Sequence, residues 1–406
     1  MSGDTSNYLV AEAHLQLDAA RKEKSERTKT LGDPIELQGK ALVIEVDDGV
    51  AWIGENTTVV RKLDLETGKT LQLFKGHTGP VTALAFTRGE GGKRFLISGS
   101  WDQSIKLWDI ESKTELSTTR KAHEDFVKTL FVIPSLNLLV SGSSDKIVRF
   151  WDLSAPNSTE PLRSMGSISS HTRPVECIDG KATSDTTAIL YTGDTMGVIK
   201  VWELQKENGP NGRWIPKLID TISHHRTRIN ELYYGKGQLW TASTDETVRV
   251  VLDKSAHDED EENVSKKPPV PITHPVGVRA LLPLPLTDLA EPYVITGAGD
   301  VIRSYDVSSP DEPELMGEVD AHWHDITAIR LWMKKTKRED GRVLVEPWVI
   351  TTSLDRTIRR WKLSDLLNPP PELKLVPKKP AEESKVLASG LTEEEERELE
   401  ELMGDD

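Results

Sequence analysis

Three residue types that can form the catalytic triad of a hydrolase, a His, a hydroxyl residue and an Asp, stand close together more than once in this 406-residue chain. The sets are His77, Ser98 and Asp102; His123, Ser141 and Asp145; and His322, Thr351 and Asp355. A catalytic triad occurs once in a chain, whereas sets at a regular spacing belong to a repeated structural unit. We therefore predict that these residues are structural, that the protein has no catalytic residues and that it is not an enzyme.

Two further features could take part in chemistry: a cysteine, as a nucleophile or metal ligand, and a pair of histidines, as metal ligands. Cys177 is the only cysteine, so neither a disulfide nor a CxxC site can form, and a lone Cys on an apolar strand is expected to be a small buried side chain. His322 and His324 have the spacing of a metal-binding pair, but the repeat already accounts for His322. With no Gly-rich phosphate loop either, the sequence predicts no cofactor and no metal.

The repeated unit consists of a His, alternating apolar and polar residues, a small residue, an Asp and an aromatic residue. The His positions are 77, 123, 171, 225, 274 and 322. The Asp is missing from the fourth unit, where Met196 takes its place, and Val251 replaces the aromatic residue in the fifth. The alternation is typical of about four short strands per unit. An earlier degenerate unit, with Leu63 in the aromatic position, brings the number to seven.

The pairs Gly76-His77 and Trp108-Asp109 make this chain resemble the WD-repeat β-propeller family. The resemblance implies an all-β, seven-bladed propeller over residues 33–372, closed by an outer strand at Ile35 to Leu37 in the last blade. It also implies that a Trp joins each of the three sets, so that the structural network includes Trp108, Trp151 and Trp361.

The segments outside the repeats have a different composition. Residues 1–32 are predicted to be an N-terminal arm, partly disordered or with a short helix, and residues 373–406 a Pro/Lys/Glu-rich linker with a short acidic helix. This tail carries an apolar stripe at Leu399, Leu402 and Met403, so it is either a linear binding motif or a solubilising tail. The insertions Lys254 to Ile272 and Met333 to Pro347 are predicted to be loops.

The net charge of −15 is concentrated in two segments, residues 258–262 and 391–406, which leaves the rest of the chain close to neutral. A nearly neutral body argues against direct binding to nucleic acid, which requires clustered basic residues. No apolar run is long enough to span a membrane, and the N-terminus lacks the features of a secretory signal. We expect the protein in the cytoplasm, the nucleus or both.

In propellers of this family the loops beside the His and the turn Asp open on one face, and the residues next to them line its rim. The candidate partner-binding rim is Trp101, Phe126, Lys128, Arg228, Arg279 and Leu354. Aromatic and Arg side chains together are typical of interface hot spots. The sequence thus predicts a non-catalytic scaffold or adaptor, monomeric outside its complex, that binds protein segments, acidic ones with an apolar anchor above all.

Two alternatives remain open. Some ubiquitin-ligase substrate receptors of this fold carry an Arg two residues after the Trp-Asp pair, where this chain has Glu111 and Ser154. An F-box-like helical segment before the ring is not evident in the sequence either. The remote alternative is an enzyme that uses the central channel of the propeller.

Overall fold

A computed structural model describes residues 12–209, 212–252, 269–309, 311–337 and 341–373. Within these ranges the strands form seven antiparallel four-stranded sheets arranged as the blades of a propeller. The predicted seven-bladed all-β fold is therefore confirmed. The domain boundaries at residues 32 and 372 stay a prediction.

Each of the first six blades is built from four consecutive strands, listed from the inner to the outer strand. Blade one contains β2 (Ala41–Asp47), β3 (Val50–Glu55), β4 (Val59–Asp64) and β5 (Thr70–Lys75). Blade two contains β6 (Val81–Arg88), β7 (Arg94–Ser100), β8 (Ile105–Asp109) and β9 (Thr114–Thr119). Blade three contains β10 (Val127–Ile133), β11 (Leu138–Ser143), β12 (Val148–Asp152) and β13 (Ser164–Ile168).

The next three blades follow the same order. Blade four contains β14 (Val175–Ala182), β15 (Thr187–Asp194), β16 (Ile199–Lys206) and β17 (Trp214–Ile222). Blade five contains β18 (Ile229–Gly235), β19 (Gln238–Ser243), β20 (Thr247–Leu252) and a two-residue outer strand β21 (Ile272–Thr273). Blade six contains β22 (Val278–Pro283), β23 (Tyr293–Ala298), β24 (Val301–Asp306) and β25 (Glu314–Val319).

Blade seven joins the two ends of the propeller. It contains β26 (Ile326–Lys337), β27 (Val343–Ser353) and β28 (Thr357–Lys362), and its outer strand is β1 (Ile35–Glu36) from the start of the chain. Ile35 pairs with Ile358 and Glu36 with Thr357, and Leu37 N–H donates to the carbonyl of Arg356 at 2.8 Å. The predicted closing strand is therefore confirmed, and it covers an edge of β28 that would otherwise be open.

The apolar residues of the alternating pattern pack between neighbouring blades. Phe150 and Leu190, for example, belong to one core that blades three and four share, and both are fully buried. The tight turn after the second strand is made possible by a positive φ at the residue that follows the turn Asp, as at Gln103 (69°) and Lys146 (71°). Each of these turns is the short loop that joins the second and third strands of a blade at the rim of the propeller.

The N-terminal arm contains a helix, α1 (Glu12–Thr28), that is held against the propeller by charged groups. Lys24 pairs with Asp300 at 2.7 Å and also with the buried Asp320, to which Arg27 donates as well. At the end of the helix, the buried guanidinium of Arg359 donates to the carbonyls of Thr28 and Leu31. A cation is well placed there, since the last carbonyls of a helix lack partners within it.

Both insertions differ in part from the sequence predictions. Ile272, the last residue of the first insertion, belongs to β21 and pairs with Val248. Met333 to Pro347 is not a loop over its described residues, because Met333 pairs with Pro347 and the pairing continues to Lys337 and Val343. Most of the acidic insertion and the whole tail motif Leu399, Leu402 and Met403 lie outside the described residues. A short helix, α2 (Leu363–Leu367), follows β28. Among the described helices, none combines the length and apolar character needed to cross a bilayer.

Candidate functional site

A cavity of about 880 Å³ runs along the axis of the propeller between the inner strands. Its wall includes five of the six residues predicted for the rim: Trp101, Lys128, Arg228, Arg279 and Leu354. The sixth, Phe126, contacts Trp101. Residues from blades two, three, five, six and seven thus meet around one opening, because each stands in a turn or at the first residues of an inner strand.

The aromatic rings of Trp101 and Phe126 stack on each other at this opening. Their centroids are 4.6 Å apart and their planes differ by 14°. Trp101 lies in the β7–β8 turn, where its backbone N–H donates to the carbonyl of Pro80 at 3.0 Å. Lys128 Nζ lies 5.8 Å from the centre of the Trp101 ring. The two residues remain 38% and 37% exposed, so the pair offers an apolar surface to solvent although the rings cover each other in part.

The cations of the rim already have carboxylate partners. Arg228 donates to Glu176 at 2.7 Å, and Lys128 Nζ lies 3.8 Å from the same carboxylate. Arg279 pairs with Asp325 at 3.0 Å. The positive charge that the sequence suggested at the rim is therefore balanced by neighbouring acids. An acidic ligand would have to replace Glu176 or Asp325 rather than meet a free cation.

Deeper in the cavity, charged residues of blades one, five and seven contact one another. Arg330 donates to Glu231 at 3.1 Å and to Glu45 at 3.3 Å, and the hydroxyl of Tyr233 donates to Glu231 at 3.1 Å. Burial raises the pKa of Glu231, while the guanidinium of Arg330 and the hydrogen bonds to the carboxylate oppose that shift. These contacts tie three blades together across the ring.

The carboxyl group of Asp179 also lies in this wall. It accepts hydrogen bonds from the N–H groups of Gly180 and Tyr234, both at 2.7 Å. Burial outweighs these bonds and raises its pKa to about 6. Sequence reasoning missed Glu45, Asp179, Glu231 and Arg330. The available signal was the presence of charged residues within inner strands that are otherwise apolar.

Hydrogen bonds join the triad-like residues of blade two to one another and to a Trp. His77 Nδ1 lies 2.8 Å from Asp102, His77 Nε2 lies 2.7 Å from Ser98 Oγ, and Trp108 Nε1–H donates to that oxygen at 2.8 Å. Ser98 is fully buried. Its hydroxyl is thus occupied and shielded, so it cannot reach a substrate.

Two other blades repeat these contacts with small differences in distance. The sets are His123, Ser141, Asp145 and Trp151 in blade three, and His322, Thr351, Asp355 and Trp361 in blade seven. Burial alone would raise the pKa of Asp145 and Asp355, but hydrogen bonds and the neighbouring His hold both at about 2. A carboxylate with so many donors stabilises the turn that carries it.

Blade four has an Asp in its network, contrary to the sequence prediction. Asp194, two residues before Met196, lies 3.5 Å from His171 and accepts hydrogen bonds from the N–H groups of Met196 and Val198. The carboxylate comes from the position that Ser100 holds in blade two. The turn itself keeps its shape, since Gly197 has a φ of +79° where Gln103 has one of 69°. Met196 is exposed.

Blade six has lost this network. Its turn Asp, Asp300, pairs with Lys24 of α1, while His274 Nδ1 has only the hydroxyl of Tyr305 at 3.4 Å. His274 is buried and its Nε2 has no hydrogen-bond partner among the described residues. The turn between β23 and β24 is one residue shorter than in the other blades, which directs the carboxylate outward.

Sequence comparisons agree with this architecture. The family model "WD domain, G-beta repeat" matches residues 68–109 and 114–152, which form most of blades two and three. An uncharacterized WD repeat-containing protein of Schizosaccharomyces pombe, C126.01c, is 29% identical over the full length of both chains.

Other relatives share only part of their length with this chain. The ribosome biogenesis protein YTM1 of Ajellomyces capsulatus is 30% identical over 33% of this chain and 26% of its own. Striatin-4 of Homo sapiens is 36% identical over 20% of this chain and 10% of its own. These matches leave most of each relative unmatched.

One solved structure supports the fold alone. The computationally designed protein Ika8 superposes with a TM-score of 0.55 at 22% identity, over 80% of this chain and 85% of its own. The matched repeats, the full-length relative and the seven four-stranded blades lead to one conclusion: the chain is a seven-bladed β-propeller with WD repeats.

Proposed function

We propose that this protein is a non-catalytic scaffold or adaptor of a multiprotein complex, and that the rim around its central cavity holds a segment of another protein. The observation that carries the proposal is the partly exposed stacked pair Trp101 and Phe126, because Trp101 lines the same cavity as the Arg228–Glu176 ion pair. Aromatic and Arg side chains at the centre of a concave surface are typical of hot spots, since they combine apolar contact with directed hydrogen bonds.

The paired charges of the rim constrain the ligand. A segment with an apolar side chain can cover the Trp101 ring without disturbing any ion pair. A carboxylate in the same segment can take the guanidinium of Arg228 from Glu176, and Lys128 then remains to neutralise Glu176. The segment is therefore an acidic one with an apolar anchor. The complex is proposed to lie in the cytoplasm, the nucleus or both.

The names of the partial relatives suggest where to look for the complex. One is named a ribosome biogenesis protein, so factors that assemble ribosomes are a reasonable first set of candidates. A receptor role in ubiquitin ligation has less support, because Glu111 and Ser154 stand where such receptors carry an Arg.

The test is quantitative affinity purification of the full-length protein and its variants from cells. The double variant Trp101→Ala with Arg228→Ala removes the anchor surface and the guanidinium. We expect the recovered amount of the specific co-purifying proteins to fall at least tenfold. Leu71→Ala with Lys217→Ala is the matched control, since both residues are exposed on outer strands away from the rim. Equal recovery of every co-purifying protein by both double variants would contradict the proposal.

A further inference from the structure

The inner hairpin of blade seven is longer than that of any other blade. Strands β26 and β27 have 12 and 11 residues, whereas the first two strands of the other blades have 6 to 8. The next strand, β28, pairs only with residues Trp348 to Thr352 of β27. Residues 333–337 and 343–347 therefore form a two-stranded ribbon, five residue pairs long, past the end of the blade. The inner strands run away from the Trp101 rim, so this ribbon lies at their opposite end.

One face of the ribbon carries cations beside aliphatic side chains. Lys335 stands opposite Val345 and Lys337 opposite Val343, and directly paired residues share a face of the sheet. Val343 is 52% exposed and Val345 47%. Further inward, Ile329 and Val349 of the same face pack into the core shared with blade six. The ribbon thus continues a packing surface, and no described residue covers it there.

The charges of the ribbon indicate what could bind. Lys335 pairs with Asp48 of the adjacent β2–β3 turn at 2.8 Å, and both side chains are more than half exposed. A surface pair of this kind contributes little to stability, so another carboxylate can replace Asp48 at small cost. Glu346 is the only acidic residue among the described ribbon positions, and it lies on the opposite face.

A second copy of the chain is a poor occupant of this face. Two ribbons packed against each other would bring Lys335 and Lys337 of both copies together, and like charges at that distance are destabilising. Nucleic acid could neutralise the lysines, but its phosphates would leave the two valines without apolar contact. A protein segment with carboxylates and aliphatic side chains can pair with the two lysines and also cover the two valines.

We infer that the ribbon is a second docking surface, which binds an acidic segment of a partner protein whose aliphatic side chains cover Val343 and Val345 while its carboxylates pair with Lys335 and Lys337. This site is separate from the rim and goes beyond the proposed function. A scaffold with surfaces at both ends of its inner strands can hold two partners at once.

The experiment measures binding of short labelled peptides to the full-length protein by fluorescence anisotropy. The probe is a 12-residue peptide with leucines and glutamates. Two matched peptides have either the glutamates changed to glutamine or the leucines changed to serine. We expect saturable binding of the first peptide, at least tenfold weaker binding of each control peptide, and exchange protection of residues 333–337 and 343–347 in the complex.

Protein variants locate the site. Lys335→Gln with Lys337→Gln, and separately Val343→Ser with Val345→Ser, should each weaken binding at least tenfold. To keep the rim from contributing, every protein in this comparison also carries Trp101→Ala with Arg228→Ala. In that background Lys217→Gln, which changes a lysine exposed on β17, should leave binding unchanged. The inference is overturned if the acidic peptide does not bind, or if the ribbon variants bind it as well as the parent protein does. It is also overturned if a single-stranded RNA oligonucleotide displaces the peptide, or if the ribbon variants abolish self-association instead.

Discussion

At the scale of single residues, the turn carboxylates determine how the blades are held. Asp102 accepts hydrogen bonds from the side chain of Ser104 and the N–H of Thr78 besides its contact with His77. Burial alone would raise its pKa, but these groups more than compensate and hold the pKa well below its usual range. The carboxylate is therefore charged at neutral pH and remains so into more acidic solution than an ordinary Asp does.

The first prediction concerns this carboxylate. Asp102→Ala should lower the free energy of unfolding by about 1–3 kcal/mol, because His77 and the turn N–H groups lose their partner. Met196→Ala, at the matching turn of blade four, should cost much less, since Met196 is 52% exposed. Urea midpoints of the two variants test this. Equal losses, or a larger loss for Met196→Ala, would be incompatible with the network.

The second prediction concerns His274. Burial, with a smaller contribution from Arg303, lowers its pKa to about 3 from an ordinary value of 6.5. The unfolded chain binds a proton there below about pH 6.5, whereas the folded protein does not until about pH 3. Stability should therefore fall as the pH drops through this window, by about 1.4 kcal/mol per pH unit for this group.

The variant His274→Phe isolates this effect from those of other titrating residues. It keeps an aromatic ring against Tyr305 but cannot take up a proton. Its unfolding free energy, measured from pH 7 to pH 4, should decline less steeply than that of the parent protein. Parallel curves for the two proteins would mean that His274 is not held neutral in the fold.

At the scale of elements, the repeat pattern predicts the strands and blades more fully than it predicts the residues of the candidate site. The seven blades, the closing strand at Ile35 and the networks of blades two, three and seven all follow from spacing together with the family resemblance. Asp194 was missed because it stands two residues before the position at which the repeat places its Asp, and the repeat spacing marks only that later position.

The ribbon could not be predicted for a different reason. Residues 333–337 have no apolar alternation and three lysines, a composition typical of loops. They form a strand because β27 continues in register beside them, which is a tertiary effect that local composition does not encode. The rim is intermediate, since its residues were predicted but the carboxylate partners of its cations were not.

The third prediction concerns the attachment of α1. Lys24→Ala should lower the free energy of unfolding by about 1–3 kcal/mol, because the buried carboxylate of Asp320 loses one of its two cationic partners. Hydrogen exchange across residues 19–28 should also become faster. Lys22→Ala is the control, since this lysine of the same helix is exposed. If both variants behave like the parent protein, the charged contacts do not hold the helix.

At the scale of the whole molecule, the propeller depends on the return of the chain's start to its last blade. Gly32 lies at that return with a φ of +66°, and a Cβ there would stand 2.5 Å from the ring of Trp361. The N–H of Arg360 donates to its carbonyl at 2.6 Å. Both the backbone conformation and the close approach require glycine at this position.

The fourth prediction compares two glycines with similar backbone strain. Gly32→Ala and Gly341→Ala both place a Cβ on a residue with positive φ, but nothing lies within 4 Å of the Cβ at position 341. Gly32→Ala should therefore lower the thermal midpoint clearly more than Gly341→Ala does. A similar decrease for both would show that contact with Trp361 is not important for closing the ring.

Hydrogen exchange on the co-purified complex tests most directly whether the rim of the cavity binds a protein segment. Exchange is compared between the free protein and the complex, residue range by residue range. We expect slower exchange in the turns at 100–103 and 124–128, beside Trp101 and Phe126. We expect no such change when the double variant Trp101→Ala with Arg228→Ala is mixed with the same amount of partner. Unchanged exchange in both turns when the parent protein is saturated with its partner would contradict binding at the rim.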